Sequence, residues 1–315
     1  MARPLRIEYE GAYYHVTSRG NERKKIFKSD RDREKFIDYL KSATERYSAV
    51  IHVYCLMDNH YHLLIQTPAG NLSQIMRHIN GAYTTYYNIK RKRCGHLLQG
   101  RYKAILIEAD AYALELSRYI HLNPVRAGMS ETPEGYKWTS YQSYININKK
   151  PEWLYADFIL GLFSGRAPEA RKQYRKFVES MVGMEIESPF QNIFASTILG
   201  SSDFINEISS KYLGNKKSDR DLPDLKMFYD KPDIRWITEC VEKEIDEDPI
   251  LLKRVQLYIC HQYSGQKLKD IGQHFGIGES GVSQASRRVA KQIEKDKKLG
   301  KKIERIHSRL KLSRV

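Results

Sequence analysis

Residues 50–67, VIHVYCLMDNHYHLLIQT, decide the fold. An apolar run (VIHVYCLM, 50–57) reaches the turn pair Asp58-Asn59, and a second run (HYHLLIQT, 60–67) returns from it. Two β-rich runs flanking a two-residue Asx turn predict a β-hairpin. In the return strand His60 and His62 are two residues apart, so they stand side by side on one face while Tyr61 points to the other. Two imidazoles one pleat apart can grip a single metal ion. They can equally be half-buried histidines that are hydrogen-bonded and inert, so the rest of the chain must decide.

Upstream, AYYHVTSRG (12–20) alternates like a strand, and residues 29–47 carry a Ser or Asp cap, an acidic first turn and helically spaced Phe36, Ile37, Leu40 and Ala43. Downstream, 71–92 reads as a helix, KAILIEA (103–109) as a strand and 111–123 as a further helix. Pro124 disfavours helical geometry at Asn123 and predicts the helix end there. The order βαββα, then β and a helix, predicts an α+β, ferredoxin-like (RRM-like) domain over 1–150: a four-stranded antiparallel sheet with helices on one face. Residues 151–213 read as an all-α, aromatic-rich extension, and 214–233, polar with two prolines, as a linker.

Residues 234–315 form the last segment. Within it Leu268, Ile271 and Phe275 share one face of a short helix, Gly276 and Gly278 supply a tight turn, and a longer helix opens near Glu279. This is the layout of a helix-turn-helix, although an ordinary helical hairpin has the same outline. Ser283, Gln284, Arg287, Arg288 and Lys291 on the second helix are the side-chain types that read bases and grip phosphates in duplex DNA.

Charge separates the segments. The 315 residues carry a net +15. Residues 1–150 hold 24 Lys and Arg against 14 Asp and Glu, 151–265 hold 15 against 19, and 266–315 hold 14 against 5. Two basic regions around a slightly acidic middle point to a polyanion held at two places. No strongly apolar face accompanies the charge, which favours nucleic acid over an acidic membrane. The four cysteines form no C-x-x-C pair and read as reduced intracellular thiols. With no apolar signal-peptide core and no transmembrane-length run, a cytoplasmic, nucleoid-associated protein without membrane contact is expected.

Four stretches, YYHVTSRGNERKKIF, DNHYHLLI, HLLQGRYKAILIEAD and LSRYIHLNPVRAGM, together resemble the REP-associated tyrosine transposases, members of the single-tyrosine HUH nucleases. The likeness covers about residues 5–145, and the last eighty residues resemble the helix-turn-helix of bacterial replication initiators. The resemblance implies that His60 and His62 are metal ligands in an HUH motif and that Tyr119 is the nucleophile. It implies Asn123, where insertion-sequence relatives carry Gln, as the third ligand of a divalent ion, Mg²⁺ or Mn²⁺. Tyr119 and Asn123, four apart, share a helix face. His121 lies off that face and reads as structural.

A metal-polarised phosphate would let a tyrosine, whose free phenol has a pKa of about 10, attack and form a 5′-phosphotyrosine. The implied substrate is a hairpin of single-stranded DNA formed by a palindromic repeat, bound by a monomer or homodimer. Arg101, Lys103 and the KRKR run (90–93) are expected to grip phosphates. Tyr83, Tyr86 and Tyr87 compete with Tyr119 as nucleophile. Two other readings stay open: a non-catalytic DNA-binding regulator derived from a transposase, and an RNA-binding module.

Overall fold

The computed structural model describes residues 6–184, 188–191, 193–212, 232–245 and 248–310. The hairpin is formed by β2 (Val50–Leu56) and β3 (His60–Thr67). β3 pairs on its other side with β1 (Ala12–Arg19), and β1 with β4 (Lys103–Ile107), all antiparallel. The order β2-β3-β1-β4 continues into a two-residue strand, Ile198–Leu199, that runs parallel to β4. The expected four-stranded, purely antiparallel sheet is therefore extended and mixed. The expected all-α middle segment is corrected by the same strand, because Ile198 and Leu199 bury both side chains against the β4 edge.

The helices also depart from the one-sided arrangement. β3 is buried without interruption from Tyr61 to Ile65, so both faces need cover. On one face Tyr61 packs against Phe36 of α1 (Asp30–Tyr47), ring centroids 4.7 Å apart, and donates to Asn80 of α2 (Leu72–Lys90) at 2.7 Å. On the other, α3 (Ala109–Arg126) places Leu116 and Ile120 in one core with Val53, Cys55 and Leu64. Burying each such side chain stabilises by ~1.5–3 kcal/mol, so the two covers together define the register.

α3 runs through Pro124 to Arg126 and does not end at Asn123. Near a helix end proline's missing N–H forfeits one bond, to the Ile120 carbonyl. The amides of Ala127 and Gly128 then close onto the carbonyls of Asn123 and Val125 at 3.0 and 2.9 Å.

Gly20, just after β1, is required by close approach: a Cβ there would lie 2.1 Å from the Lys24 carbonyl oxygen. Its amide bonds the Asn59 carbonyl at 2.8 Å and so ties the end of β1 to the hairpin turn.

By internal packing the chain forms two units, Arg6–Phe190 with Thr197–Leu199, and Gly200–Val315 with Gln191–Ser196. The expected linker at 214–233 lies almost wholly outside the described residues. The second unit has its own core, including Ile237, Val255, Ile259, Ile271, Val282 and Val289. In it the helices Leu268–Phe275 and Glu279–Lys295 are joined by a turn with Gly276 in the left-handed region (φ 69°). All four cysteines are free. Among the described residues no helix is long and apolar enough to cross a membrane.

At the α1 start, fully buried Asp32 accepts from Lys90 Nζ (2.5 Å), an Arg91 guanidinium nitrogen (2.7 Å) and the backbone amides of Lys28 and Ser29. Burial raises its pKa, but the bonds from Lys90, the Lys28 amide and Arg91 outweigh it and bring it down to about 2. A carboxylate pKa lowered on folding stabilises fully above the unfolded value, near 3.8, and the effect is lost as pH falls through 2. Asp32→Asn should therefore cost about 2 kcal/mol at pH 6, with the gap to wild type closing toward pH 2. Urea unfolding at a series of pH values measures this, and a gap independent of pH would contradict it.

Candidate metal and nucleophile site

The register of β1 on β3 builds the site. Direct partners share a face, so the pairs Arg19–His60, Thr17–His62 and His15–Leu64, with Lys103 opposite Thr17, lie on the α3 side of the sheet. His60 and His62 stand with ring centroids 5.0 Å apart at 76°. Tyr119, from α3, meets His62 edge-on at 6.2 Å. The structure thus brings His60, His62 and Tyr119 together.

Asn123 lies one turn on from Tyr119 and is half-buried. Its Nδ2 donates to the Tyr119 carbonyl at 2.9 Å, so Oδ1 is the atom left for a ligand. Among the described residues no group of three His, Cys, Asp or Glu side chains could hold a metal ion. The side chain expected as third ligand, Asn123, is a carboxamide and lies outside such groups.

Each histidine is held through Nδ1. Asn59 Nδ2 donates to the Arg23 carbonyl at 3.0 Å, which turns Asn59 Oδ1 toward His60 Nδ1 at 2.7 Å. An amide oxygen can only accept, so His60 carries its proton on Nδ1 and leaves Nε2 as a lone pair. His62 Nδ1 lies 3.0 Å from Nε2 of His15. Burial, with His15, His60 and Arg126 nearby, holds His62 well below the ordinary histidine range. Burial and Arg19 lower His60, and burial pushes His15 down to about 3. All three rings are neutral at pH 7, the form in which imidazole binds metal. The two imidazoles fit a divalent ion bound through Nε2 of His60 and, when His62 carries its proton on Nδ1, through Nε2 of His62.

Residues outside the sequence-derived set complete the surroundings. Phe190 stacks on His15 (4.6 Å, 23°) and meets Tyr119 edge-on (5.2 Å, 88°). The Arg126 guanidinium lies 4.9 Å from the Tyr119 ring centre. Arg126 is seven residues beyond Tyr119, two helical turns, and helical spacing alone could have marked it.

The rival tyrosines fall on the other face. Tyr83 donates to the Ile26 carbonyl at 2.6 Å, Tyr87 is buried, and Tyr86 faces Asp32 at 3.4 Å. His121 is fully buried, bonded to the Tyr174 hydroxyl at 2.7 Å and the Ser140 hydroxyl at 2.8 Å. This network joins α3 to the helix Ala167–Glu179 and fixes the rotation that presents Tyr119.

Of the expected phosphate-gripping residues, Arg101 and Lys103 are exposed. Arg101 lines a cavity of about 720 Å³ with Arg6, Arg77, His96 and Tyr102, and neither His60 nor His62 lines it. In the KRKR run, Lys90 and Arg91 are committed to Asp32. In the second unit Gln284, Arg287, Arg288 and Lys291 are exposed and Ser283 is half-buried, while Val282, Ser286 and Val289 face the core.

Residues 8–123 match the family model described as "Transposase IS200 like". No curated protein matches the chain. Among solved structures, a REP-associated tyrosine transposase bound to a REP hairpin is similar over 49% of this chain and 92% of its own, at 15% identity and a TM-score of 0.42. The family match falls on the segment that carries His60, His62 and Tyr119 and ends at Asn123.

Exchanging a ligand tests the donor set. His60→Ala and His62→Ala should each abolish Mn²⁺ binding measured by calorimetry, whereas Asn123→Ala should only weaken it, because water replaces a neutral oxygen donor. Unchanged affinity in both histidine variants would remove the site.

Proposed function

We propose that the IS200-like transposase domain is a metal-dependent endonuclease and strand transferase for single-stranded DNA, acting on hairpins formed by palindromic repeats. The observation that carries this is the meeting of two neutral imidazoles with one tyrosine on a single face of the sheet. A bound Mg²⁺ or Mn²⁺ supplies positive charge to a phosphate oxygen.

Tyr119 provides the nucleophile. Its phenolic oxygen gives up a proton and bonds to phosphorus, the bond from phosphorus to the 3′ oxygen breaks, and that oxygen leaves as a 3′ hydroxyl. The 5′ phosphate stays on the tyrosine. Because one phosphoester replaces another, the strand can be rejoined by the reverse attack without a nucleotide cofactor. Arg126, beside the tyrosine ring, and Lys103, on the same face of the sheet, are suited to hold flanking phosphates. Arg101, with Arg6 and Arg77, offers the hairpin a second cationic surface.

For the second unit we propose duplex reading by the helix Glu279–Lys295. Ser283, Gln284 and Arg287 would face bases, and Arg288 and Lys291 phosphates. An RNA-reading sheet needs an open face of aromatics, whereas Tyr61 is buried beneath α1 and α2. A purely regulatory DNA binder has no use for the histidine–tyrosine arrangement.

Two measurements follow. Tyr119→Phe should bind an end-labelled hairpin as wild type does, yet form no covalent adduct on a denaturing gel with Mn²⁺. An adduct persisting in this variant would refute the assignment. Arg287→Ala should leave nicking of a short hairpin unchanged and lower discrimination among flanked duplex targets by about 5- to 150-fold, the worth of one base contact. Equal discrimination by wild type and variant would contradict duplex reading by this helix.

A further inference from the structure

The proton on His60 is fixed by its surroundings, because Asn59 presents an oxygen that can only accept. His62 has a different partner. Its Nδ1 faces Nε2 of His15 at 3.0 Å, and either ring can donate. His15 stands on β1 opposite Leu64, one pleat from the Thr17–His62 pair, and is fully enclosed at 3% exposure. Its ring lies nearly coplanar with that of His62 (centroids 5.2 Å apart, 17°), as a hydrogen bond between ring nitrogens requires, and stacks on Phe190 (4.6 Å, 23°), which holds its orientation. Its other nitrogen, Nδ1, is buried with no hydrogen-bond partner among the described residues.

Only one of the two proton arrangements allows ligation. If His15 donates from Nε2, His62 must carry its own proton on Nε2, and the nitrogen beside His60 is blocked. If His62 donates from Nδ1, its Nε2 becomes a lone pair like that of His60, and the proton of His15 sits on its enclosed Nδ1. We infer that His15 is a positioning residue: it accepts the Nδ1–H of His62 and so holds His62 in the tautomer and orientation that present Nε2 to a divalent ion. This rests on the reading of His60 and His62 as metal ligands. His15 plays for His62 the part that Asn59 plays for His60, in the manner of partners that orient metal-binding imidazoles elsewhere.

The experiment compares Mn²⁺ binding by calorimetry in wild type, His15→Phe and His15→Gln, each checked for folding by circular dichroism. Phenylalanine keeps the flat ring against Phe190 but accepts no hydrogen bond, so affinity should fall about 10- to 100-fold. Glutamine restores an accepting oxygen and should stay within about 3-fold of wild type, the acceptor being what His15 supplies. A folded His15→Phe that binds Mn²⁺ as tightly as wild type overturns the inference and leaves the metal site standing. A glutamine variant as weak as the phenylalanine one also overturns it, since the acceptor would then not be what matters. Wild type that binds no Mn²⁺ removes the ligand reading and this inference together.

A second readout needs no variant. In histidine-labelled, metal-free wild type, long-range proton–nitrogen correlation should show both His62 and His15 protonated at Nδ1. Protonation at Nε2 would refute the inference.

Discussion

The site depends on the pairing of β1 with β3, in which Thr17 faces His62 and His15 faces Leu64. Side chains alternate along a strand, so a slip of one residue in β1 would carry His15, Thr17 and Arg19 to the opposite face, toward α1 and α2. His62 would lose its imidazole partner. The core prevents the slip. Tyr14 and Val16 are buried on one side of β1, and on the other its face meets Phe158 and the α3 core. Hydrophobic burial on both faces sets a register, and the register sets which polar atoms meet.

The electrostatics of the two faces are opposite in kind. Beneath α1 and α2 a buried carboxylate is kept ionised by Lys90 and Arg91 and clamps the helices together. On the α3 side burial keeps three imidazoles neutral. The first arrangement stabilises the fold, and the second prepares nitrogen lone pairs. The same desolvation acts on both, and the nature of the neighbouring groups decides the outcome.

Local patterns made much of this legible in the sequence. The hairpin at 50–67, the helices at 30–47 and 72–90, and the His60–His62 pair follow from periodicity and turn chemistry. The pairing of Tyr119 with Asn123 follows from a spacing of four. What was not legible depends on contacts distant in sequence. His15 is 47 residues from His62, and nothing in YYHVTSRG distinguishes a site histidine from a packing one until β1 is laid beside β3. Phe190 reaches the site from beyond the expected domain boundary at 150. The helices on both faces, the short parallel strand at Ile198–Leu199 and the passage of α3 through Pro124 were also set by tertiary packing against local expectation. The steric bias against helical geometry at Asn123, before Pro124, was outweighed in a helix that runs on to Arg126.

In the proposed reaction Tyr119 becomes covalently joined to the 5′ phosphate of a cleaved strand. Mass spectrometry of the protein after reaction with a hairpin oligonucleotide and Mn²⁺, followed by nuclease and protease digestion, tests it most directly. A nucleotide is expected on the peptide that contains Tyr119, and none when Mn²⁺ is withheld. A nucleotide mapped to Tyr83, Tyr86, Tyr87 or any other residue would contradict it, as would cleavage that leaves no nucleotide on the protein.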